Sequence, residues 1–325
     1  MLSPSGPAPD VSVCIANWNC QDLLRNCLFA LRESAGVRLE VIVVDNASTD
    51  GAADMVADDF PEVCLVRNPM NRGFARASNQ AAQLARGQYL LFLNNDTEVP
   101  PDAIARLVAY ATTHPNVGMI GPRLQGADGR TQISFRPRPT AATLLHRTTL
   151  LRWTGQLRGA YRQYRRAAVP DTDRTRCVPT LMGAAVLLPR DFFFAIGGWD
   201  EDYTFGGEDF DLSTRVASRR PVVYFPEVSI LHLSRASTRA NVSYSAPNVA
   251  IGFARYLRKS GGTRRELWLY KTLIMADAPL ALGEKTVQWL WRRLSGQKKK
   301  AQQSAQRVKE MWYFLTRGLL AFWQV

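Results

Sequence analysis

The sequence predicts an α/β fold: a mostly parallel central sheet flanked by helices, followed by a C-terminal amphipathic helical extension. Three observations predict it. Short apolar runs alternate four times with helical-period segments over the first 113 residues. Each of those runs ends on polar residues. The last 75 residues differ from the rest in charge, with 15 Lys/Arg against 4 Asp/Glu from Ile251 to Val325, where the first 250 hold 26 against 24. A length of 325 residues suits one large α/β domain with an appendage, and 46% apolar composition is enough for a sizeable core.

The elements follow in order. Val11–Ala16 is a buried-strand run. Gln21–Glu33 carries Leu23, Leu24, Cys27, Leu28 and Leu31 at helical spacing. Leu39–Val44 is a second strand, and Thr49-Asp50-Gly51 opens a short helix ending near Phe60. Val63–Val66 is a third strand and Phe74–Arg86 an Ala-rich helix. Gln88–Leu93 is a fourth strand. Pro100–Thr113 is a helix with Pro in its first turn, where a missing N–H does no harm. Gln132–Thr180 is less regular and Arg-rich through Arg166. Val178–Leu188 reads as one further strand, Asp191–Ile196 as a short helix stopped by Gly197-Gly198, Glu208–Arg219 as a helix and Val222–Phe225 as a short strand. Beyond Ala250 the pattern is amphipathic helix.

Five cysteines without a C-x-x-C pair argue against a disulfide framework or structural zinc and for a reducing cytoplasm, with the thiols buried as small apolar groups. No apolar run reaches the ~20 residues that span a bilayer, and Met1–Asp10 lacks the basic start of a secretory signal.

Ligands of parallel sheets bind outside the strand carboxyl ends. Asn17-Trp18-Asn19 follows the first strand, Asp45-Asn46-Ala47-Ser48 the second, Asn68 and Asn71-Arg72-Gly73 the third, and Asn94-Asn95-Asp96 the fourth. One polar strand end is ordinary turn chemistry; four in series on one edge point to a site. No G-x-G-x-x-G or Walker lysine loop follows the first strand, so a dinucleotide or P-loop site is excluded there. Asp96 beside amide oxygens suits a hard divalent cation, Mg²⁺ or Mn²⁺, that keeps waters and a diphosphate. Gly207-Glu208-Asp209-Phe210-Asp211 places three carboxylates at a helix start. Arg215, four residues on, pairs with Asp211, which leaves Asp209 as the freest general base. His232 follows the apolar Val228–Leu231 and precedes Ser234, Arg235, Ser237 and Thr238, a setting for a metal ligand or phosphate contact.

Together these segments resemble the family 2 glycosyltransferases, in particular their rhamnosyltransferase-like branch. The matching text is VCIANWN at Val13–Asn19, VVDNASTDG at Val43–Gly51, NRGFARASN at Asn71–Asn79, LFLNNDTEV at Leu91–Val99, GGWDE at Gly197–Glu201, GEDFDLSTR at Gly207–Arg215, and His232. The resemblance implies a GT-A fold and inverting transfer of a sugar from a nucleotide-diphosphate donor. It places Asn17, Asn19, Asp45, Asn71, Arg72, Gly73, Asn94 and Asn95 along the nucleotide-sugar, and Asp96 and His232 on the cation. Asp209 and Glu208 match the pair that supplies the catalytic base. With the tail's charge, this divides the chain into a flexible start at 1–10, a catalytic domain at 11–250 (nucleotide-sugar half 11–100, acceptor half 101–250) and a tail at 251–325, the resemblance itself covering roughly residues 10–240. One departure is Pro179-Thr180-Leu181 where the branch often has Asp-Trp-Val, which touches the acceptor side.

dTDP-rhamnose is the donor suggested by the branch, with UDP- and GDP-sugars open. The expected acceptor is a hydroxyl of a glycan or lipid-linked carrier in cell-surface polysaccharide synthesis. Five of the eight tryptophans lie in the basic tail, which suits docking on the anionic inner face of the cell membrane. Packing on the catalytic domain or an oligomer interface are the other readings of the tail. A sugar nucleotidyltransferase would need its glycine-rich basic loop after the first strand, where NWNC stands. A nucleic-acid-binding protein is suggested only by the tail's charge, so no nucleic acid is expected.

Overall fold

The structure is a computed structural model, and it describes residues 8–146, 148–168, 173–233 and 242–325. Met1–Pro7 of the expected flexible start, and the Ser234–Thr238 segment after His232, lie outside the described residues.

In chain order the elements are β1 (Val11–Asn17), α1 (Gln21–Arg32), β2 (Leu39–Asp45), α2 (Ala52–Asp59), β3 (Cys64–Arg67), α3 (Phe74–Leu84), β4 (Tyr89–Leu93), β5 (Thr97–Glu98), α4 (Ala103–Thr113), β6 (Met119–Gln125), β7 (Phe135–Arg136), α5 (Ala141–Leu145), α6 (Thr149–Thr154), α7 (Arg158–Ala168), β8 (Arg176–Cys177), β9 (Thr180–Leu181), β10 (Ala185–Pro189), α8 (Arg190–Ala195), α9 (Glu208–Ala217), β11 (Val222–His232), α10 (Val242–Tyr256), α11 (Arg264–Leu294), α12 (Lys298–Tyr313) and α13 (Leu319–Gln324). Single π-helical turns, Leu257–Gly261 and Phe314–Gly318, adjoin α10 and α12.

Among the described residues, nine strands form the main sheet in the order β3-β2-β1-β4-β10-β6-β11-β5, with β8 pairing β11. β3, β2, β1 and β4 run parallel, and the register sets Asn17 beside Asp45 and Asp45 beside Arg67. β10 is antiparallel to both β4 and β6, while β11 is parallel to β6. β7 and β9 form a separate antiparallel pair.

Successive strand side chains point to opposite faces, and both faces are covered. Val11, Val13, Ile15, Val43, Leu91 and Leu93 pack with Leu24, Leu28 and Leu31 of α1 and Leu107 of α4. Cys14, Ile42, Val44, Leu90 and Phe92 pack on the other face with the alanines of α3 and with Phe192, Phe193 and Leu212. This two-sided burial is why the parallel strands read as continuous apolar runs.

Three expectations are corrected. Val178–Leu188 is two strands, β9 and β10, because Met182-Gly183-Ala184 leaves the ladder; the Met182 N–H donates to Ser134 O at 2.9 Å. Val222–Phe225 is part of one 11-residue strand whose pairing shifts register between Phe225 and Ser229, a bulge. Cys64 and Cys177 are exposed, because β3 and β8 each pair on one side only; Cys14, Cys20 and Cys27 are buried. β6 adds a strand where none was expected.

The chain divides into two compact units. The first, Met1–Arg136, Ala168–Asp202 and Asp209–Ser237, carries the main sheet. The second, Pro137–Ala167, Tyr203–Glu208 and Thr238–Val325, is helical. Its core joins Leu145 and Leu151 to Ala254, Leu257, Tyr270, Phe314 and Phe322. Thr263 caps α11, accepting from the Glu266 N–H while the Glu266 carboxylate accepts from the Thr263 N–H. Lys271 Nζ donates to Trp323 O at 2.8 Å, tying α11 to α13. Among the described residues, no helix is long and apolar enough to cross a membrane.

Candidate active site

The carboxyl ends of β1, β2 and β4 bring their polar residues together in the first unit. Asp45 is buried and accepts from Asn17 Nδ2 at 2.9 Å, Ser48 Oγ at 2.6 Å and the Ser48 backbone N–H at 2.9 Å. Three donors hold the carboxylate in one orientation and leave lone-pair capacity for a ligand. Asn19, in the left-handed region at φ 50°, offers its Oδ1 to the Thr49 N–H at 2.7 Å. Asn17 Oδ1 in turn accepts from Asn95 Nδ2 at 2.7 Å, joining the first strand's end to the fourth's.

A second polar layer follows β3. Asn46 Oδ1 accepts from Asn68 Nδ2 at 2.9 Å, and Asn46 Nδ2 donates to Gly73 O at 3.3 Å. Asn71 Oδ1 accepts the Gly73 N–H at 2.8 Å. Gly73 sits at φ 85°, a conformation that favours glycine, and leads directly into α3. The Arg72 side chain is exposed at this edge.

The expected cation residues meet through sheet pairing. His232 at the end of β11 pairs with Thr97 of β5, and the Leu233 N–H donates to Asp96 O at 2.8 Å. His232 Nε2 lies 3.4 Å from Asp96 Oδ1, and both side chains are largely buried. Gln132 fixes the ring. Its Nε2 donates to His232 O at 2.7 Å, so its Oε1 is the atom 2.9 Å from His232 Nδ1. With Nδ1–H donated to that oxygen, Nε2 is the ring atom left facing the Asp96 carboxylate, and a proton or a cation between the two makes that approach favourable.

This donor set fits a divalent ion. One carboxylate and one imidazole, the latter steered by a second residue, suit an ion that takes its remaining ligands from water and a diphosphate. Among the described residues, no cluster of three or more His, Cys, Asp or Glu could hold a metal by itself. Gln132 is the residue that sequence reading missed; only the pairing of β6 with β11 carries it to His232.

Asp209 reaches this edge through β10. The Asn94 N–H donates to Ala184 O at 2.9 Å, and the neighbouring Gly183 backbone N–H faces the Asp209 carboxylate. A Cβ built on Gly183 would lie 3.5 Å from Asp209 Cβ. Asp209 Oδ1 also accepts the Phe210 N–H at 2.9 Å. Burial raises its carboxyl above the ordinary range, opposed by the Arg136 guanidinium and the backbone N–H groups. Asp211, by contrast, is buried and paired with Arg215 at 2.7 Å, the partnership its spacing predicted. Glu208 opens the same helix but is counted with the second unit.

The first unit thus presents a fixed acceptor at Asp45, a carboxylate–imidazole pair at Asp96 and His232, and a buried carboxyl at Asp209. Residues 12–172 match the model of glycosyl transferase family 2. The chain is 30% identical over 218 residues, 62% of this chain and 68% of the relative, to an N-acetylglucosaminyl-diphospho-decaprenol L-rhamnosyltransferase of Mycobacterium tuberculosis. It is 28% identical over 249 residues, 73% of this chain and only 18% of the relative, to the O-antigen biosynthesis protein RfbC of Myxococcus xanthus. A Pyrobaculum calidifontis mannosyltransferase solved with GDP-Man and Mn²⁺ shares the fold at a TM-score of 0.54 and 20% identity, over 95% of this chain and 88% of that one. The expected fold is therefore GT-A, and the chain is a sugar-transferring enzyme that belongs to the family 2 glycosyltransferases.

Proposed function

We propose that this enzyme moves a sugar, with inversion, from a nucleotide-diphosphate donor to a hydroxyl of a glycan or lipid-linked acceptor in polysaccharide synthesis. The carrying observation is the Asp96–His232 pair, 3.4 Å apart and oriented by Gln132, at the edge that also holds Asp45.

Each residue then has a task. Asp45 accepts from the base, held by Asn17 and Ser48. Asn19 shapes the loop beside it, and Asn94 and Asn95 line the strand end. Asn71 and Gly73 turn the chain closely along the donor, with Arg72 reaching toward its negative charge. Asp96 and His232 would hold Mg²⁺ or Mn²⁺, which would supply Lewis-acid neutralisation of the diphosphate's charge. Asp209 removes the acceptor's proton, worth ~10²–10⁴-fold. Glu208 is its helical neighbour, matched by the family resemblance alone. Attack from the face opposite the diphosphate inverts the anomeric carbon.

The rhamnosyl relative, whose name gives a diphospho-decaprenol acceptor, supports dTDP-rhamnose as the first donor to test and a lipid-linked acceptor. A lipid-linked acceptor supports a reaction at a membrane surface; the cytoplasmic face is the proposed side, with residues 251–325 as the docking element. Supporting this, Trp268, Trp291, Trp312 and Trp323 are exposed on a strongly basic segment.

A donor screen by thermal shift with and without Mn²⁺ tests the reading. A nucleotide diphosphate should raise the melting temperature only with metal, and lose that effect in Asp96→Asn. Equal stabilisation of both proteins without metal would overturn it.

A further inference from the structure

The helical unit has an open cavity of about 320 Å³, within the ~300–1,000 Å³ range of small-ligand sites. Arg152, Arg158, Lys285 and Arg307 line it, with one carboxylate, Glu310. Behind the wall, Glu284 is shared: it meets Arg152 and lies 3.4 Å from Lys285 Nζ. The Lys285 side chain is only 15% exposed. Burial and the neighbouring Arg152 and Arg307 charges lower its pKa, against the pull of Glu284. Lys285 is the partly buried cation, with the exposed Arg152, Arg158 and Arg307 around it, and a bound anion would offset their mutual repulsion. Arginine forks match phosphate oxygens in particular.

The same unit exposes large apolar side chains. Leu150 and Trp153 stand out on α6, and Leu280, Val287 and Trp291 on α11. α6 lies along α11, since the Leu150 N–H donates to Asp277 Oδ1 at 3.2 Å and Arg152 meets Glu284. One helical unit thus carries both exposed apolar side chains and a cationic hollow, the two halves of a lipid site: chain and headgroup.

We propose that this cavity receives the phosphate of an anionic membrane phospholipid while Trp153 and Trp291 enter the acyl boundary. The proposal rests on the membrane docking proposed above and adds a defined headgroup site to it. General surface attraction depends on charge alone; a cavity of arginine forks distinguishes an accessible phosphomonoester from other anions of equal charge.

The test compares vesicles of phosphatidylcholine doped with phosphatidic acid or with phosphatidylserine, matched in surface charge, using the full chain. The wild type should prefer phosphatidic acid by roughly tenfold, the scale of one or two charge-assisted hydrogen bonds. Lys285→Gln/Arg307→Gln should lose that preference and still bind both vesicles. Lys298→Gln/Lys300→Gln, which removes as much charge from exposed positions, should keep it. Should the first variant fail to fold, the exposed Arg158→Gln gives the same readout. Inorganic phosphate should erase the preference without releasing the protein. A wild type that binds both vesicles equally, or a cavity variant that keeps the preference, overturns the site while docking stands. A wild type that binds neither vesicle overturns docking and the site together.

Discussion

At the scale of single residues, Asp209 carries the sharpest consequences. Its raised carboxyl pKa places the acid limb of the kcat/KM profile above the ~4 of an unperturbed aspartate. Asp209→Asn should retain metal-dependent nucleotide binding and lose ~10²–10⁴-fold in turnover; native turnover would remove Asp209 from the base position. The same shift bears on stability. A carboxyl with a folded pKa above its unfolded one binds its proton more tightly when folded. Its favourable contribution is present below the unfolded value and is lost as pH rises through the folded one. Asp209→Asn should therefore melt higher than the wild type at neutral pH, and the gap should close on acidification. Gln132 is the second residue to test. It orients His232 without joining the cation, so Gln132→Leu should weaken Mn²⁺ affinity by about 10–100-fold, as loss of an outer hydrogen-bond partner does. An unchanged Mn²⁺ titration would reduce Gln132 to a packing role. Asp211–Arg215 was legible because one helical turn fixes that spacing. Gln132 was not, because it meets His232 across 100 residues of chain.

At the scale of elements, β1 to β4 declared themselves, β10 and β11 did so in part, and β6 did not. β1, β2 and β4 are buried on both faces, which leaves an unbroken apolar run in the sequence. β6 contains Gly121-Pro122, a pair that ordinarily signals a turn. Its glycine lies against Leu181: a Cβ at Gly121 would come within 2.7 Å of a Leu181 methyl, which would have to shift. β10 reverses direction after a loop, and no local pattern distinguishes an antiparallel strand from a parallel one when both faces are covered. Gly87 tests how the first sheet edge is built. Its N–H donates to Ser12 Oγ at 2.8 Å, and an added Cβ would lie 2.5 Å from the Ser12 backbone nitrogen. Because backbone yields little, Gly87→Ala should cost ~1–3 kcal/mol in denaturant unfolding, the range of overpacked cores. A neutral substitution there would mean that the β1–α3 junction is looser than its geometry.

At the scale of the whole molecule, the chain is two units whose membership crosses the sequence. The tail's charge and tryptophans were visible in composition. That Pro137–Ala167 shares its core was not, because an amphipathic face does not name its partner. Membrane docking belongs to this scale. Wild-type protein should float with anionic liposomes in low salt and be released as salt rises, since exposed cations are screened. Recovery that ignores both lipid charge and salt would count against docking through residues 251–325.

One divalent ion held by Asp96 and His232 would neutralise the donor's diphosphate. Anomalous diffraction from crystals grown with Mn²⁺ and a nucleotide diphosphate examines it most directly. A single strong peak between the Asp96 and His232 side chains, next to the diphosphate, is the expected result. A diphosphate bound with its metal held by neither side chain would contradict it.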